Sequence, residues 1–254
     1  HIVTGAMASL QNIIKCANRC GVQVADIVLE QLASGAAVLT PEEKELGVAV
    51  VDIGGGTTDI AVWMRRAIIH TAVIPLGGNN ITKDIAVGLR TPMGDAEEIK
   101  TRYGCAMTDM VSGDETIEVP SVGGRRPRSL KREILSTIIE PRAEEMLALV
   151  GKHIEEACAL EDLASGIVLT GGSACMEGMP DLAEEVLGVP VRRGVPRGVG
   201  GLVDVVRNPR FATGVGLVLQ GSHAADQPFV PSLKEEGITS RFFKRMRSWI
   251  RQAV

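Results

Sequence analysis

Aromatic residues are scarce in this sequence, and it has no long apolar run. Phe, Trp and Tyr make up only 3% of the 254 residues, although 45% are hydrophobic and 29 are glycine. This composition indicates an α/β protein rich in Val, Leu, Ala and Gly and argues against a β-sandwich. Because no apolar run approaches the roughly 18–20 residues that cross a bilayer, no transmembrane helix is expected.

Closely spaced Cys and His pairs are also lacking. The four histidines are isolated and the five cysteines are scattered, at Cys16, Cys20, Cys105, Cys158 and Cys175. A structural zinc site usually shows such pairs in the sequence, so none is predicted. Reduced cysteines in a cytoplasmic protein are the expected state.

Basic residues are unevenly distributed. The chain has 27 basic and 31 acidic residues, and five of the bases lie in residues 241–254, which contain no acid. The rest of the chain therefore has 22 bases against 31 acids, a formal charge of −9. An acidic body argues against nucleic acid as a partner, and the basic C-terminal segment needs its own explanation.

The first forty residues read as alternating strands and helices. We expect a strand at "HIVTGA", a helix at "MASLQNIIKCANRC", a strand at "VADIVL" and a helix at "QLASGAAVL", followed by a turn at Pro41.

Further along, a helix is expected over "TPMGDAEEIKTRYG", capped by Asp95 or a neighbour and ended by Gly104. A long helical region is expected over about residues 130–160, broken or bent at Pro141.

The segment "VAVVDIGGGTTDIAVW", residues 48–63, places three glycines between two apolar runs. A dinucleotide-binding loop would have its third glycine where Asp59 stands and would lead into a helix, whereas a β-like run follows here. We therefore predict a strand–turn–strand hairpin. Its bare tip, Gly54, Gly55 and Gly56, would let backbone N–H groups approach a phosphate closely.

Polar side chains flank this tip. The hydroxyls of Thr57 and Thr58 suit phosphate oxygens, and Asp52 at the end of the first strand suits a hydrated Mg²⁺ ion. A tight glycine turn beside a satisfied acid is the alternative.

A second glycine pair, Gly171 and Gly172, lies in "LTGGSACMEGMP" at a predicted strand-to-helix junction. Bare backbone at the start of a helix suits an adenosine and its α-phosphate. Glycine pairs before helices are common, but two such segments about 115 residues apart, in this order, support one another.

These motifs resemble those of the actin/Hsp70/sugar-kinase ATPase superfamily. "DIGGGTTD" is similar to its second phosphate loop, and "IVLTGGSACMEGMP" is similar to its adenosine motif. Within the superfamily, "TPMGDAEEIKTRYGCA" and "VPSVGGRRPRSLKREIL" resemble the FtsA family of bacterial actin-like cell-division proteins. The resemblance implies an α/β, actin-like ATPase fold, mainly its C-terminal lobe. The family's first phosphate loop has no counterpart here, so we expect an N-terminally truncated chain.

The resemblance also implies roles at matching positions. The β- and γ-phosphates of ATP would be contacted by Gly54, Gly55, Gly56, Thr57 and Thr58, with Asp52 near Mg²⁺. The adenosine side would be lined by Gly171, Gly172 and Ser173, and ribose and adenine would be bracketed by Glu97 and Lys100. Glu30 would be the catalytic acid that positions metal or water, and Arg142 would dock a partner peptide. For Glu97 and Lys100 the alternative is a solvated surface pair. For Glu30 it is a carboxylate at a helix start, and for Arg142 an ion pair with Glu144 or Glu145.

The C-terminal segment predicts a membrane-bound amphipathic helix. At 100° per residue, its apolar residues share an arc of roughly 140°; the arc contains Ile238, Phe242, Phe243, Met246, Trp249, Ile250 and Ala253. Basic residues occupy the opposite arc, the pattern of a helix that lies in the plane of a bilayer surface. Docking on the protein's own body is the alternative.

The expected organisation follows the resemblance. The segments are residues 1–40, the end of the N-terminal lobe and a connecting helix; 41–88 and 164–221, a nucleotide-binding core; 89–163, a small subdomain; 222–237, a linker; and 238–254, the amphipathic C-terminal helix.

The expected function is that of an FtsA-like protein. It would bind ATP with at most weak hydrolysis and form filaments with itself. It would also bind the C-terminal peptide of the tubulin-like FtsZ. By this contact it would tether the FtsZ ring to the cytoplasmic face of the inner membrane at the division site. Later division proteins would be further partners. The alternative is a soluble ATP-dependent enzyme or chaperone ATPase of the same fold, without a basic amphipathic end.

Overall fold

A computed structural model describes residues 1–123, 126–201 and 203–225. The chain divides into two compact units. The larger consists of His1–Ala6 and Val28–Gly221. The other consists of Met7–Ile27 and Ser222–Val254, and its first segment contains helix α1, Met7–Arg19. The predicted amphipathic segment, residues 238–254, lies outside the described residues.

A five-stranded sheet forms the centre of the larger unit, in the order β3-β2-β1-β6-β7. Its strands are β1 Val48–Ile53, β2 Thr58–Met64, β3 Ala67–Ile74, β6 Ile167–Thr170 and β7 Val191–Arg193. The first three strands form an antiparallel meander, while β1 pairs with β6, and β6 with β7, in parallel. The predicted hairpin over residues 48–63 is therefore present. A separate two-stranded sheet pairs β4, Thr116–Val119, with β5, Arg128–Lys131.

Helices surround this sheet. They are α2 Glu30–Val38, α3 Pro41–Leu46, α4 Gly78–Gly88, α5 Met93–Tyr103, α6 Arg132–Glu155, α7 Met179–Leu187, α8 Val203–Val206 and α9 Ala212–Ala225. Within the described part of the chain, no helix combines the length and apolarity that a membrane crossing requires.

Strand β1 is buried along its whole length because hydrophobic layers lie on both sheet faces. Ala49, Val51 and Ile53 belong to the larger core, which includes residues of α4, α5, α6 and α7. Val48 and Val50 alternate onto the other face, where the smaller core includes residues of α2 and α9. The continuous apolar run before Asp52 thus carries that carboxylate to the end of a central strand.

Two expectations for the front of the chain are wrong. Residues 1–6 and 22–29 form no strand, so "HIVTGA" and "VADIVL" have an apolar pattern without a pairing partner among the described residues. The expected turn at Pro41 is instead helix α3, with Pro41 in its first turn. A capping box explains this helix: the Thr40 hydroxyl accepts from the Glu43 N–H at 3.2 Å, and the Glu43 carboxylate accepts from the Thr40 N–H at 2.8 Å.

Four helices also differ from expectation in where they begin, continue or end. Helix α5 starts after Pro92, with Asp95 in its first turn and no side-chain cap. Helix α6 runs unbroken through Pro141, so the proline does not end it. Helix α7 starts at Met179, because the residues after Gly172 first form a 3₁₀ turn, Ser173–Cys175. Helix α9 extends to Ala225, four residues into the segment interpreted as a linker.

Close packing of α9 on α2 yields a stability prediction. A Cβ at Gly216 would overlap the backbone carbonyl of Ala33, so Gly216→Ala should lower the free energy of unfolding by about 2 kcal/mol or more. Gly214, on the same helix, has no atom within 4 Å of an added Cβ. Gly214→Ala should raise the free energy by about 0.5–1 kcal/mol, because alanine is the better helix former.

Chemical denaturation of both variants measures the difference. Equal stabilities of Gly216→Ala and Gly214→Ala would contradict the close approach of the two helices.

Candidate functional site

The glycine turn between β1 and β2 is held by its own backbone. The N–H of Gly54 donates to the Thr57 carbonyl at 2.9 Å. The Thr58 hydroxyl donates to the Leu76 carbonyl at 2.9 Å, and the Thr57 hydroxyl donates to Asp59 at 2.9 Å. Both predicted phosphate-binding hydroxyls are therefore engaged within the protein, and the exposed Gly55 and Gly56 present bare backbone.

A further glycine pair, Gly77 and Gly78, packs against this turn. The N–H of Gly78 donates to the Gly54 carbonyl at 2.9 Å, and that of Asn79 donates to the Gly55 carbonyl at 2.8 Å. A Cβ at Gly77 would lie 2.7 Å from the Gly55 oxygen, so only glycine fits there. The start of α4 thus fixes the tip of the hairpin.

The pair Gly171 and Gly172 reaches the same place from β6. Gly171 has φ +87°, a conformation that favours glycine, and an added Cβ would lie 2.6 Å from the Ile53 carbonyl oxygen. The hydroxyl of Ser173 lies 2.7 Å from where a Cβ on Gly78 would be. The two motifs that the sequence separates by more than 100 residues therefore meet at one edge of the sheet.

A cavity of about 500 Å³ opens at this meeting point. Its size falls within the roughly 300–1,000 Å³ of small-molecule sites. The lining consists of Gly54, Gly55, Gly78, Asn79, Glu97, Lys100, Thr101, Arg102, Gly104, Arg132, Gly172, Ser173, Cys175, Met176, Glu177, Asn208 and Arg210.

The lining brings together six of the residues that the sequence predicted: Gly54, Gly55, Glu97, Lys100, Gly172 and Ser173. The other predicted nucleotide-site residues are not part of the lining; they are Glu30, Asp52, Gly56, Thr57, Thr58 and Gly171. Sequence reasoning missed Arg132 and Arg210, since single arginines without a motif carry no signal.

Lys100 and Glu97 form an ion pair that borders this cavity. The Lys100 ammonium is buried and donates to Glu97 at 2.7 Å, to the Thr82 hydroxyl at 2.8 Å and to the Gly78 carbonyl at 3.1 Å. Partial burial alone would raise the pKa of Glu97, but its bonds with Lys100 and Thr82 outweigh this and lower it. The pair is thus a buried cation with a half-exposed carboxylate, and not a solvated surface pair.

Three carboxyl groups lie behind the glycine turn. The buried Asp52 accepts hydrogen bonds from Ser34 of α2 and, at 3.1 Å, from Thr213 of α9. Burial raises the pKa of Asp52 despite these bonds, and it raises the pKa of Asp59. Burial, together with the charges of Asp59 and Asp52, also raises the pKa of Glu30 at the start of α2. Burial is the main cause of all three shifts, and the negative potential of neighbouring carboxylates adds to it for Asp59 and Glu30.

A cation would relieve this potential. Within the described residues, these three groups do not bring one oxygen each within 4.8 Å of the others, so they form no closed three-carboxylate cage. Mg²⁺ characteristically keeps several waters and takes only one or two protein carboxylates. The set therefore fits a hydrated Mg²⁺ beside the turn.

Arg142 lies elsewhere, on α6. Its guanidinium donates to Asp84 of α4, with Nε–Oδ2 at 2.5 Å, and to Glu145. Hydrogen bonds to Asp84 raise the pKa of Arg142 further. Beside it lies a shallow cavity of about 270 Å³ that is also lined by Ile138 and Pro141. The ion pair with Glu145, which was the alternative to a docking role for Arg142, is present, and Asp84 is an additional partner. The predicted membrane residues Phe242, Phe243, Met246, Trp249 and Ile250 lie outside the described residues.

Comparison with known sequences matches residues 49–216 to the family model described as "Cell division protein FtsA". The chain is similar to the cell division protein FtsA of Pseudomonas aeruginosa, with 49% identity over 98% of this chain and 61% of that protein. The chain therefore spans about three fifths of the length of this relative.

Solved structures agree on the fold. The crystal structure of MreB5 of Spiroplasma citri bound to ADP superposes with a TM-score of 0.71 at 16% identity, covering 88% of this chain and 69% of that one. The MamK double helical filament gives a TM-score of 0.64 at 17% identity, covering 86% and 66%. The described chain has an actin-like α/β fold, which confirms the predicted fold class.

The ion pair at the cavity yields a pH prediction. Glu97→Gln removes the partner of a buried ammonium and should lower the free energy of unfolding at pH 7 by about 1 kcal/mol, a modest value because the Glu97 side chain is 47% exposed. Because the folded-state pKa of Glu97 is lowered, ionised Glu97 contributes to the free energy of unfolding at pH values above the ordinary carboxyl pKa. This contribution is lost as the pH falls through the folded-state pKa.

The exposed neighbour Glu98 supplies the matched control. Urea denaturation of Glu97→Gln, Glu98→Gln and wild type is compared at pH 7 and pH 3.5. If the free energies of unfolding of Glu97→Gln and Glu98→Gln differ by the same amount at pH 3.5 as at pH 7, the role of the ion pair is refuted.

Proposed function

The chain belongs to the FtsA family of cell division proteins, and from this membership we propose that it is an ATP-binding, membrane-associated adaptor of the division machinery. The observation that carries the proposal is the convergence of three glycine-bearing segments on one cavity. A bare-backbone cradle bordered by a buried lysine has the composition expected for a phosphate-bearing ligand.

ATP fits the cavity in both size and lining. The exposed Gly55, with Gly54 beside it, would present backbone to the β- and γ-phosphates, while Gly172 and Ser173 would take the adenosine side. Glu97 and Lys100 also line the cavity and would bracket ribose and adenine. The structural neighbour MreB5 was solved with ADP, which supports a nucleotide as the ligand class.

A Mg²⁺ ion would offset the repulsion between the negative charges of the ATP phosphates and those of the carboxyl groups. Asp52 is oriented by the hydroxyls of Ser34 and Thr213 and would hold a water of the hydrated ion. Glu30, whose pKa is raised, would orient a water near the γ-phosphate. The activity we propose is ATP binding with at most weak hydrolysis, as the resemblance to the FtsA family implies.

Self-association into filaments is part of the proposal. The chain shares its fold with a protein seen as a double helical filament, MamK. Nucleotide binding in the cleft would then bias the equilibrium between the free and assembled forms, since a ligand shifts an equilibrium by its differential affinity for the two states.

The membrane and ring partners are proposed from sequence pattern. Residues 238–254 would lie in the cytoplasmic face of the inner membrane at the division site. Apolar burial would combine there with cationic contacts that are each worth about 1 kcal/mol. The C-terminal peptide of FtsZ would dock at Arg142, where a basic group adjoins the apolar Ile138 and Pro141. Later division proteins would join the same assembly.

Replacing Gly55 tests the nucleotide site. An added Cβ there meets only the Asn79 side chain, at an ordinary 3.6 Å, so Gly55→Val should fold normally. Its side chain would occupy the space of phosphate oxygens and weaken Mg-ATP binding at least about tenfold, or about 1.4 kcal/mol.

Titration calorimetry compares wild type, Gly55→Val and the loop control Gly113→Val, for which a Cβ meets open space. The three proteins are compared with one another twice, first as the 254-residue chain and then as a version extended to the length of the relatives. Unchanged ATP affinity in Gly55→Val would refute the phosphate cradle.

Removal of residues 238–254 tests the membrane role. The truncated protein should no longer co-sediment with anionic vesicles, while its thermal unfolding stays unchanged. Trp249→Glu should do nearly the same, because it places a charge in the apolar arc. Neutralising Lys244 and Arg251 together should weaken binding only in part, since apolar burial remains. The remaining binding should be less sensitive to salt.

Vesicles of neutral lipid serve as the control for the cationic contribution. If the truncated protein still sediments with anionic vesicles as well as the intact one, the tether is elsewhere and a soluble ATPase becomes the better account.

Charge changes at Arg142 test the partner site. Arg142→Glu should weaken binding of the FtsZ C-terminal peptide by a few kcal/mol through like-charge repulsion. Asp84 competes with the peptide for Arg142, so Asp84→Asn should strengthen binding. Fluorescence anisotropy at low and high salt measures both. Binding that neither change alters would place the docking surface elsewhere.

A further inference from the structure

Two histidines and a glutamate meet on the far end of α6, away from the nucleotide cavity. His70 lies on β3, an edge strand of the sheet, while His153 and Glu156 lie at the C-terminal end of α6. One ligand atom from each of these side chains lies within 4.8 Å of the other two. None of the three is among the residues that line the cavity described above.

The two imidazoles carry nitrogens that the described residues leave unsatisfied. Nε2 of His70 and Nδ1 of His153 are both inaccessible to solvent and form no hydrogen bond in the described structure. A carboxylate oxygen, Oε2 of Glu156, lies 3.4 Å from Nδ1 of His153. Leaving a buried polar atom without a partner costs about 1–3 kcal/mol. Two such atoms beside a carboxylate point to a missing ligand.

The spacing suits a tetrahedral metal ion. Zinc binds histidine nitrogen and carboxylate oxygen at about 2.0–2.2 Å, which puts two of its ligand atoms about 3.4 Å apart. The His153–Glu156 separation already has this value. A ligand atom of His70, whose side chain is half-buried, lies within 4.8 Å of both.

We propose that His70, His153 and Glu156 bind a divalent transition-metal ion of the zinc class. Two imidazoles and one carboxylate form a ligand set that suits zinc and excludes Mg²⁺, which prefers oxygen ligands. With three protein ligands, the fourth position is left to water or to an outside group. The ion would tie the edge strand β3 to the end of α6 and so stabilise the folded state.

Zinc titration of the chain, without nucleotide, tests the site. All variants carry Cys16→Ser and Cys20→Ser, because these two exposed thiols, one on α1 and one directly after its end, could bind zinc themselves. The parent protein should bind one Zn²⁺ and unfold at a higher temperature with zinc than with EDTA. His153→Gln and Glu156→Gln should each lose saturable binding and the zinc-dependent rise in Tm.

Glu155→Gln provides the matched control, since Glu155 is an exposed carboxylate on the same helix but outside the group. It should bind zinc as the parent does, and His1→Gln should also bind normally. Thermal unfolding in EDTA shows that each variant is folded. Absence of saturable zinc binding by the parent, or equal binding by Glu156→Gln and Glu155→Gln, would overturn the proposal.

Discussion

The candidate site depends on backbone segments that approach one another with no room for side chains. The tip of the β1–β2 hairpin is fixed because the first N–H groups of α4 donate to the carbonyls of Gly54 and Gly55. That approach requires Gly77 to lack a Cβ, and the approach from β6 requires the same of Gly171. Because parallel pairing sets β6 beside β1, both glycine segments end at one edge of the sheet. The cavity is a consequence of these contacts.

Asp52 connects this edge to the helices on one face of the sheet. Its carboxyl group accepts bonds from Ser34 on α2 and from Thr213 on α9, while Gly216 allows the two helices to pack closely. Burial that raises the pKa of this group means that the fold holds a carboxyl where ionisation is unfavourable. Strain of this electrostatic kind is common where a binding site is arranged in advance of its ligand.

Much of the site could be predicted from local pattern, and the rest could not for physical reasons. The glycine run between two β-like segments predicted the hairpin, and the three-residue spacing of Glu97 and Lys100 predicted a shared helix face. Contacts between distant segments left no such signal. Gly77 belongs to no motif that marks it, and His70 and His153 are more than 80 residues apart in the sequence. The apolar patterns at residues 1–6 and 24–29 suggested strands, but a strand also needs a partner, which pattern alone does not supply.

The charges around the cavity constrain how a ligand could bind. Basic residues line it, of which Lys100 and Arg132 are paired with acidic neighbours. The acidic Glu30, Asp52 and Asp59 lie behind the turn with raised pKa values. A bare polyphosphate would meet repulsion from these acids, and a bare cation would meet repulsion from the bases. Each would lower the cost of binding the other. On the proposed function, nucleotide and magnesium are therefore coupled ligands, and by linkage each must raise the affinity for the other by the same factor.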